Sequence, residues 1–120
     1  MVPAIPHEDV APVGSFDAYG TGADKDYVVL VENQDAAADQ LIRAGWNYDS
    51  TYGDSFRSVR QGEVNFILTH SRILFQSYKH AALAMRQLAA IIPRSDKAFR
   101  IALYDLVKQA NRIKIVRAAE

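Results

Sequence analysis

The sequence predicts an α+β (α/β) domain, a small mixed β-sheet packed by helices with two helices closing the chain. Three observations carry that expectation. An unbroken apolar run from Tyr27 to Val31 reads as a strand buried on both faces, and a helical segment follows it at once. Residues 56 to 69 alternate in character about a glycine and read as a β-hairpin. Beyond them lie two amphipathic stretches separated by Pro93.

In chain order, residues 1–12 hold three of the four prolines and read as an irregular arm or a short edge strand. The domain is expected over 13–114, with a tail at 115–120. Gly14-Ser15 opens a short helix, and a strand runs from Asp26 to Glu32. In "ENQDAAADQLIRAGW", Asn33 or Asp35 caps a helix whose inward face is Ala38, Leu41 and Ile42 and which Gly45 ends. Residues 47–55 form a polar loop with two tyrosines. In the hairpin, Phe56, Ser58 and Arg60 alternate with Arg57 and Val59, the turn falls at Gln61-Gly62, and Val64 to Leu68 returns. The first closing helix has Leu74, Tyr78, Ala81, Met85, Leu88 and Ile92 inward and stops at Pro93. The second starts at Ser95 as N-cap, with Phe99, Leu103, Leu106, Ala110 and Ile113 as its inward stripe.

Composition narrows the function classes. With 49% hydrophobic and 23% charged residues the chain is an ordinary globular one, and having no cysteine it has no disulfides or thiolate metal sites. The N-terminus lacks the basic and apolar regions of a signal peptide, and no apolar run approaches the roughly 20 residues of a membrane helix. A cytoplasmic protein without membrane partners is the expectation. The zero net charge hides an asymmetry: residues 1–69 hold 4 Lys/Arg against 11 Asp/Glu, and residues 70–120 hold 10 against 3. Either the halves complement each other, or a site handles both a cation and a polyanion; solvated basic helix faces are the plainer alternative.

Asp24 and Asp26 raise the sharpest question. On a strand beginning at Asp24 they share a face, where two carboxylates repel unless a cation lies between them. Mg²⁺ (or Mn²⁺) suits such a pair, its remaining positions going to water and substrate phosphates. Ten residues upstream of Asp24, Gly14-Ser15 offers backbone N–H groups and a hydroxyl to phosphate. Alternatively the aspartates are turn residues, and Lys25 between them neutralises both without metal.

"GSFDAYGTGADKDYVVLV" resembles the Gly-Ser, spacer, Asp-x-Asp signature of the minimal nucleotidyltransferase fold, the superfamily of DNA polymerase β and the antibiotic nucleotidyltransferases. With "FRSVRQGEVNFILT" and "DKAFRIALYDLV", it is similar to small phage-encoded nucleotidyltransferase-like proteins, over residues 13 to about 108. The resemblance implies a minimal nucleotidyltransferase-like core. It also implies Mg²⁺-dependent transfer of a nucleotidyl group from a nucleoside triphosphate to an unknown acceptor. Asp24 and Asp26 would hold metal, and Gly14 and Ser15 would contact phosphate. The superfamily's third carboxylate falls on "GEVNFIL", where Asn65 stands between Val64 and Phe66; Glu63, on the same face, would substitute or Asn65 would complete the site. An amide is no general base at neutral pH. The rival implication is a catalytically inactive phage accessory protein that binds a host protein or nucleic acid. The enzyme reading requires the two carboxylates to converge beside Gly14-Ser15 in an open cleft, and it fails if Lys25 or an arginine fills that space or the aspartates diverge.

Two basic stripes fit nucleic acid or an acidic partner as well as water: Arg72, Lys79 and Arg86, then Lys97, Arg100, Lys108 and Arg112, interrupted by Tyr104. His7, His70 and His80 have no metal-ligand spacing, though His70 lies close behind the hairpin. Trp46, Tyr48 and Tyr52 either stack on a base or cover the core.

Overall fold

The computed structural model describes residues 3–22, 24–49 and 56–119, the last eight by their backbone alone. Along these residues run β1 (Asp9–Val13), α1 (Gly14–Tyr19), β2 (Lys25–Leu30), α2 (Gln34–Arg43), β3 (Asn47–Tyr48), β4 (Arg57–Gln61), β5 (Val64–Thr69), α3 (Arg72–Leu88) and α4 (Lys97–Ala119). The sheet order is β1-β2-β5-β4-β3. β2 and β5 are parallel and every other neighbouring pair is antiparallel, so the sheet is mixed, as the sequence predicts. Among the described residues no helix is long and apolar enough to cross a membrane.

The apolar run of β2 divides between two core layers because successive strand residues face opposite ways. Val29 and Val31 join Phe66 and Leu68 of β5 beneath Ala37, Ala38 and Leu41 of α2. Val28 and Leu30 join Ile67 beneath Leu74, Phe75 and Ala82 of α3. Burial on both sides explains why β2 reads as a continuous hydrophobic stretch. Trp46 is part of the first layer: its ring stacks on Phe66 with centroids 4.7 Å apart and planes 19° apart. Tyr48 is exposed, and Tyr52 lies outside the described residues.

Several boundaries differ from the sequence expectation for local reasons. The end of the N-terminal arm forms β1, an edge strand on which Pro12 is tolerated because only β2 pairs with it. β2 ends at Leu30 rather than Glu32. Of the two candidate caps for α2, Asn33 serves: its side chain accepts from the N–H groups of Asp35 and Ala36. Ile42, expected inward, is 40% exposed, and Ala37 takes its place. The hairpin turn sits one residue later, at Gly62-Glu63, since Gln61 pairs with Val64. α3 stops at Leu88, before Pro93, and is capped by Ser71. Asp96 rather than Ser95 caps α4, accepting from Phe99 N–H at 3.0 Å, and the helix continues to Ala119, past the expected boundary at 114.

The first basic stripe is absorbed within the fold. Arg72 pairs with Glu8, Lys79 reaches Asp9 at 3.9 Å, and Arg86 grips Asp17 through Nε at 2.8 Å and Nη2 at 2.9 Å. Three cations at seven-residue spacing thus meet three carboxylates on the first strand and helix. The exposed pairs contribute little individually. The Arg86–Asp17 fork, with Asp17 only 10% exposed, fixes α1 against α3.

Phe66 anchors the layer beneath α2 with no solvent exposure. Replacing Phe66 by Ala is expected to lower unfolding stability by about 3–5 kcal/mol, read from the midpoint of urea denaturation.

Candidate functional site

The parallel pairing of β2 with β5 sets one row of residues across the sheet. Val13 pairs with Asp26, Asp26 with Asn65, and Asn65 with Arg60. Residues in register share a face, so Asp26, Asn65 and Arg60 all project to the side of α3 and α4. Asp24 stands just before β2 on the same side. Lys25, the residue between, turns away and places its ammonium 5.0 Å from the centre of the Phe16 ring. Lys25 does not neutralise the aspartates; strand alternation sends it elsewhere.

These residues line an open cleft of about 730 Å³ between the sheet and α4. Gly14, Ser15, Asp24, Asp26 and Asn65, all singled out from the sequence, lie on its wall. Glu63 does not: it sits exposed in the hairpin turn, where its carbonyl accepts from Lys25 N–H at 2.7 Å. None of the three histidines lines the cleft. Among the described residues no group of three or more His, Cys, Asp or Glu side chains is placed to hold a metal ion.

Each carboxylate already has partners. Asp26 Oδ1 accepts from Asn65 Nδ2 at 3.1 Å, and Asn65 Oδ1 in turn accepts from Ser58 Oγ at 2.6 Å. Asp26 Oδ2 lies against Gly14: a Cβ on that glycine would stand 2.7 Å from the oxygen, and its φ of +82° is one that L side chains rarely adopt. Burial raises the Asp26 pKa, with Asp24 adding to the rise and the Asn65 hydrogen bond and Arg60 opposing it. Asp24 accepts from Arg60 Nη1 at 2.8 Å, while Arg60 Nε donates to Asp49 at 3.0 Å. The two carboxylates do share a cleft with Gly14-Ser15. An arginine, however, holds one of them.

The opposite wall is the second basic stripe. Arg94, Lys97, Arg100 and Lys108 line the cleft, and with Arg60 they make five cations against Asp24, Asp26 and Asp105. Lys108 is engaged with Asp105 at 3.4 Å, whereas Arg94, Lys97 and Arg100 make no ion pair among the described residues. Arg94 Nη2 and Ser15 Oγ lie 3.0 and 3.5 Å from the position a Cβ would take on Gly22, so that glycine leaves room for the guanidinium beside the hydroxyl. Arg112, the last residue of the stripe, has no described side chain.

α4 is therefore turned relative to the expected inward stripe. Leu106 is 65% exposed and Ala110 is exposed, while Tyr104 is partly buried. Tyr104 leans on Tyr78 with ring centres 5.6 Å apart, and its hydroxyl accepts from Gly14 N–H at 3.0 Å. One backbone donor expected to meet phosphate is thus occupied. Burial raises the phenol's pKa and keeps it neutral. Asn111 donates to Ser77 Oγ at 2.8 Å and ties the helix to α3. Arg60, Arg94 and Tyr104 are among the cleft residues that motif reading missed. The signal for Arg60 was its place in phase with Ser58 on the hairpin, and for Tyr104 that it breaks a basic stripe; Arg94 had none.

No protein-family model matches the chain, and no curated protein matches it. Among solved structures the chain is similar to the conserved protein GrpB from Enterococcus faecalis, with 16% identity, 85% of this chain and 81% of that chain covered, and a TM-score of 0.49.

The raised pKa of Asp26 has a definite sign. The folded state binds this proton more tightly than the unfolded state, whose value is near 3.8. The cost of the ionised carboxylate is therefore full above the raised value and vanishes below the unfolded one. Asp26→Asn is expected to melt at a higher temperature than wild type at neutral pH. Melting curves taken at successively lower pH should show that gap closing.

Proposed function

We propose that the protein binds a nucleoside triphosphate in this cleft and holds it without transferring the nucleotidyl group. What carries the reading is a cleft with two unlike surfaces. One is cationic, with Arg94, Lys97 and Arg100 in no ion pair among the described residues and Ser15 beside Arg94. The other is apolar and aromatic, formed by Phe56, Ile67, Tyr78 and Tyr104. A ligand with a polyanionic tail and a planar ring matches both, the phosphates through charge-assisted hydrogen bonds and the base against the aromatic side. The sequence resemblance to the nucleotidyltransferase superfamily points to the same ligand class.

Transfer asks for more than binding. It needs metal at the reacting phosphate and a group to take the acceptor's proton. The residues fit a metal poorly: Asp24 is held by Arg60, and Asp26 Oδ1 accepts from Asn65. The third position is Asn65, an amide oriented by Ser58 to donate toward Asp26. With an amide at the third position and Asp24 engaged by Arg60, the arrangement favours retention of the nucleotide. The opposing reading, Mg²⁺-dependent nucleotidyl transfer, is favoured by one observation: Gly14, Ser15, Asp24 and Asp26 line the same cleft.

Calorimetric titration with each nucleoside triphosphate is expected to show binding. Lys97→Ala and Arg100→Ala should each weaken it about tenfold, the loss of one charge-assisted hydrogen bond. Incubation with α-labelled triphosphate, Mg²⁺ and cell extract separates the readings. Label retained only non-covalently supports binding; label transferred to an acceptor, and lost in Asp26→Asn, establishes the transferase.

A further inference from the structure

We propose that Arg60 stands in for the divalent cation of this cleft, so that the protein engages its anionic ligand without metal. The inference rests on the nucleotide reading above and goes beyond it by replacing an ion with a side chain.

The geometry is that of a substitution in place. Register puts Arg60 in the same cross-strand row as Asp26, with Asn65 between them. Asp24 comes to the guanidinium from the mouth of β2 at 2.8 Å, and Asp49 holds the other side of the fork at 3.0 Å. Asp24 and Asp49 thus converge on one fixed positive charge, and Asp24, one of the two carboxylates a metal would use, is engaged by it. The guanidinium is planar, stays charged at any physiological pH, and keeps donors for a phosphate oxygen.

The neighbours follow the same pattern. Asp26 Oδ1 accepts from Asn65 Nδ2, while Gly14, having no Cβ, leaves room beside Oδ2. Ser58 holds Asn65 in that orientation through Oδ1. An amide N–H directed at Asp26 and a guanidinium directed at Asp24 give each carboxylate a side-chain donor. Arg60 belongs to β4, a strand paired on both sides, so the charge is delivered by a rigid element.

The test uses Mn²⁺ alone, by electron paramagnetic resonance, on wild type, Arg60→Gln and Arg60→Lys, with circular dichroism confirming the fold of each. Wild type and Arg60→Lys are expected to leave Mn²⁺ free, and Arg60→Gln to bind it at least about tenfold more tightly, an effect that Asp24→Asn in the same background removes. In parallel, ATP titrations of wild type in EDTA and in Mg²⁺ should give the same affinity within about twofold. Equal Mn²⁺ binding by wild type and Arg60→Gln, or no binding by either, overturns the proposal. So does ATP binding by wild type that requires Mg²⁺, a result that leaves the nucleotide reading standing. If ATP binds under neither condition the nucleotide reading fails, and the Mn²⁺ comparison alone decides the role of Arg60. Should Arg60→Gln not fold, the EDTA comparison on wild type decides it.

Discussion

A carboxylate set into the core-facing side of a sheet has to be partnered, and Asp26 is the constraint around which this molecule is arranged. Its place in β2 is forced by the apolar residues that follow, because Val28 and Leu30 must face α3 and alternation carries Asp26 to the same side. The adjacent positions then have little freedom. The residue that follows Val13, the partner of Asp26 on β1, must lack a Cβ, and it is Gly14. The residue opposite on β5 must donate, and it is Asn65 with Ser58 behind it. A buried charge without such partners costs far more than a surface one.

Charge is divided between two tasks by the two closing helices. The cations of α3 are matched to Glu8, Asp9 and Asp17, which register the helix on the first strand and helix. On α4, Lys97, Arg100 and Lys108 line a cleft instead, and among the described residues Lys97 and Arg100 make no ion pair. A chain with no net charge therefore holds a locally cationic wall. Tyr104 sits in that wall, with its hydroxyl on the backbone donor of Gly14. It ties the cationic helix to the very turn that a nucleotidyltransferase-like site would give to phosphate.

Much of the fold was legible in the residues. The double-sided burial of β2, the hairpin, the cap of α2 at one of two candidates, Asn33, and the short helix opened by Gly14 all follow from local pattern, since each depends on neighbours within a few positions. Of the site, Gly14, Ser15, Asp24, Asp26 and Asn65 were identified by type and spacing and do share one wall. Glu63 was placed by alternation extended one residue too far, into a turn where alternation no longer holds. The face of α4 was misjudged for a related reason. Counting apolar residues assumes a helix buries its most hydrophobic side, whereas α4 packs on α3 at Tyr78 and Ser77, reaches Gly14 through Tyr104 and turns a polar, aromatic side to the cleft.

The sequence by itself determined which elements form and which face of β2 carries the aspartates, because periodicity and capping act between residues close in the chain. Tertiary structure alone decided what those aspartates meet. The distance from Asp24 to Arg60 along the chain is 36 residues, and from Gly14 to Tyr104 it is 90. No local pattern encodes such pairs. They follow from the parallel register of β2 on β5 and from the path of α4 across the cleft, which packing of the whole chain sets. What each carboxylate receives is a question of what a distant strand delivers to it, and here β4 delivers Arg60 to Asp24 while β5 delivers Asn65 to Asp26.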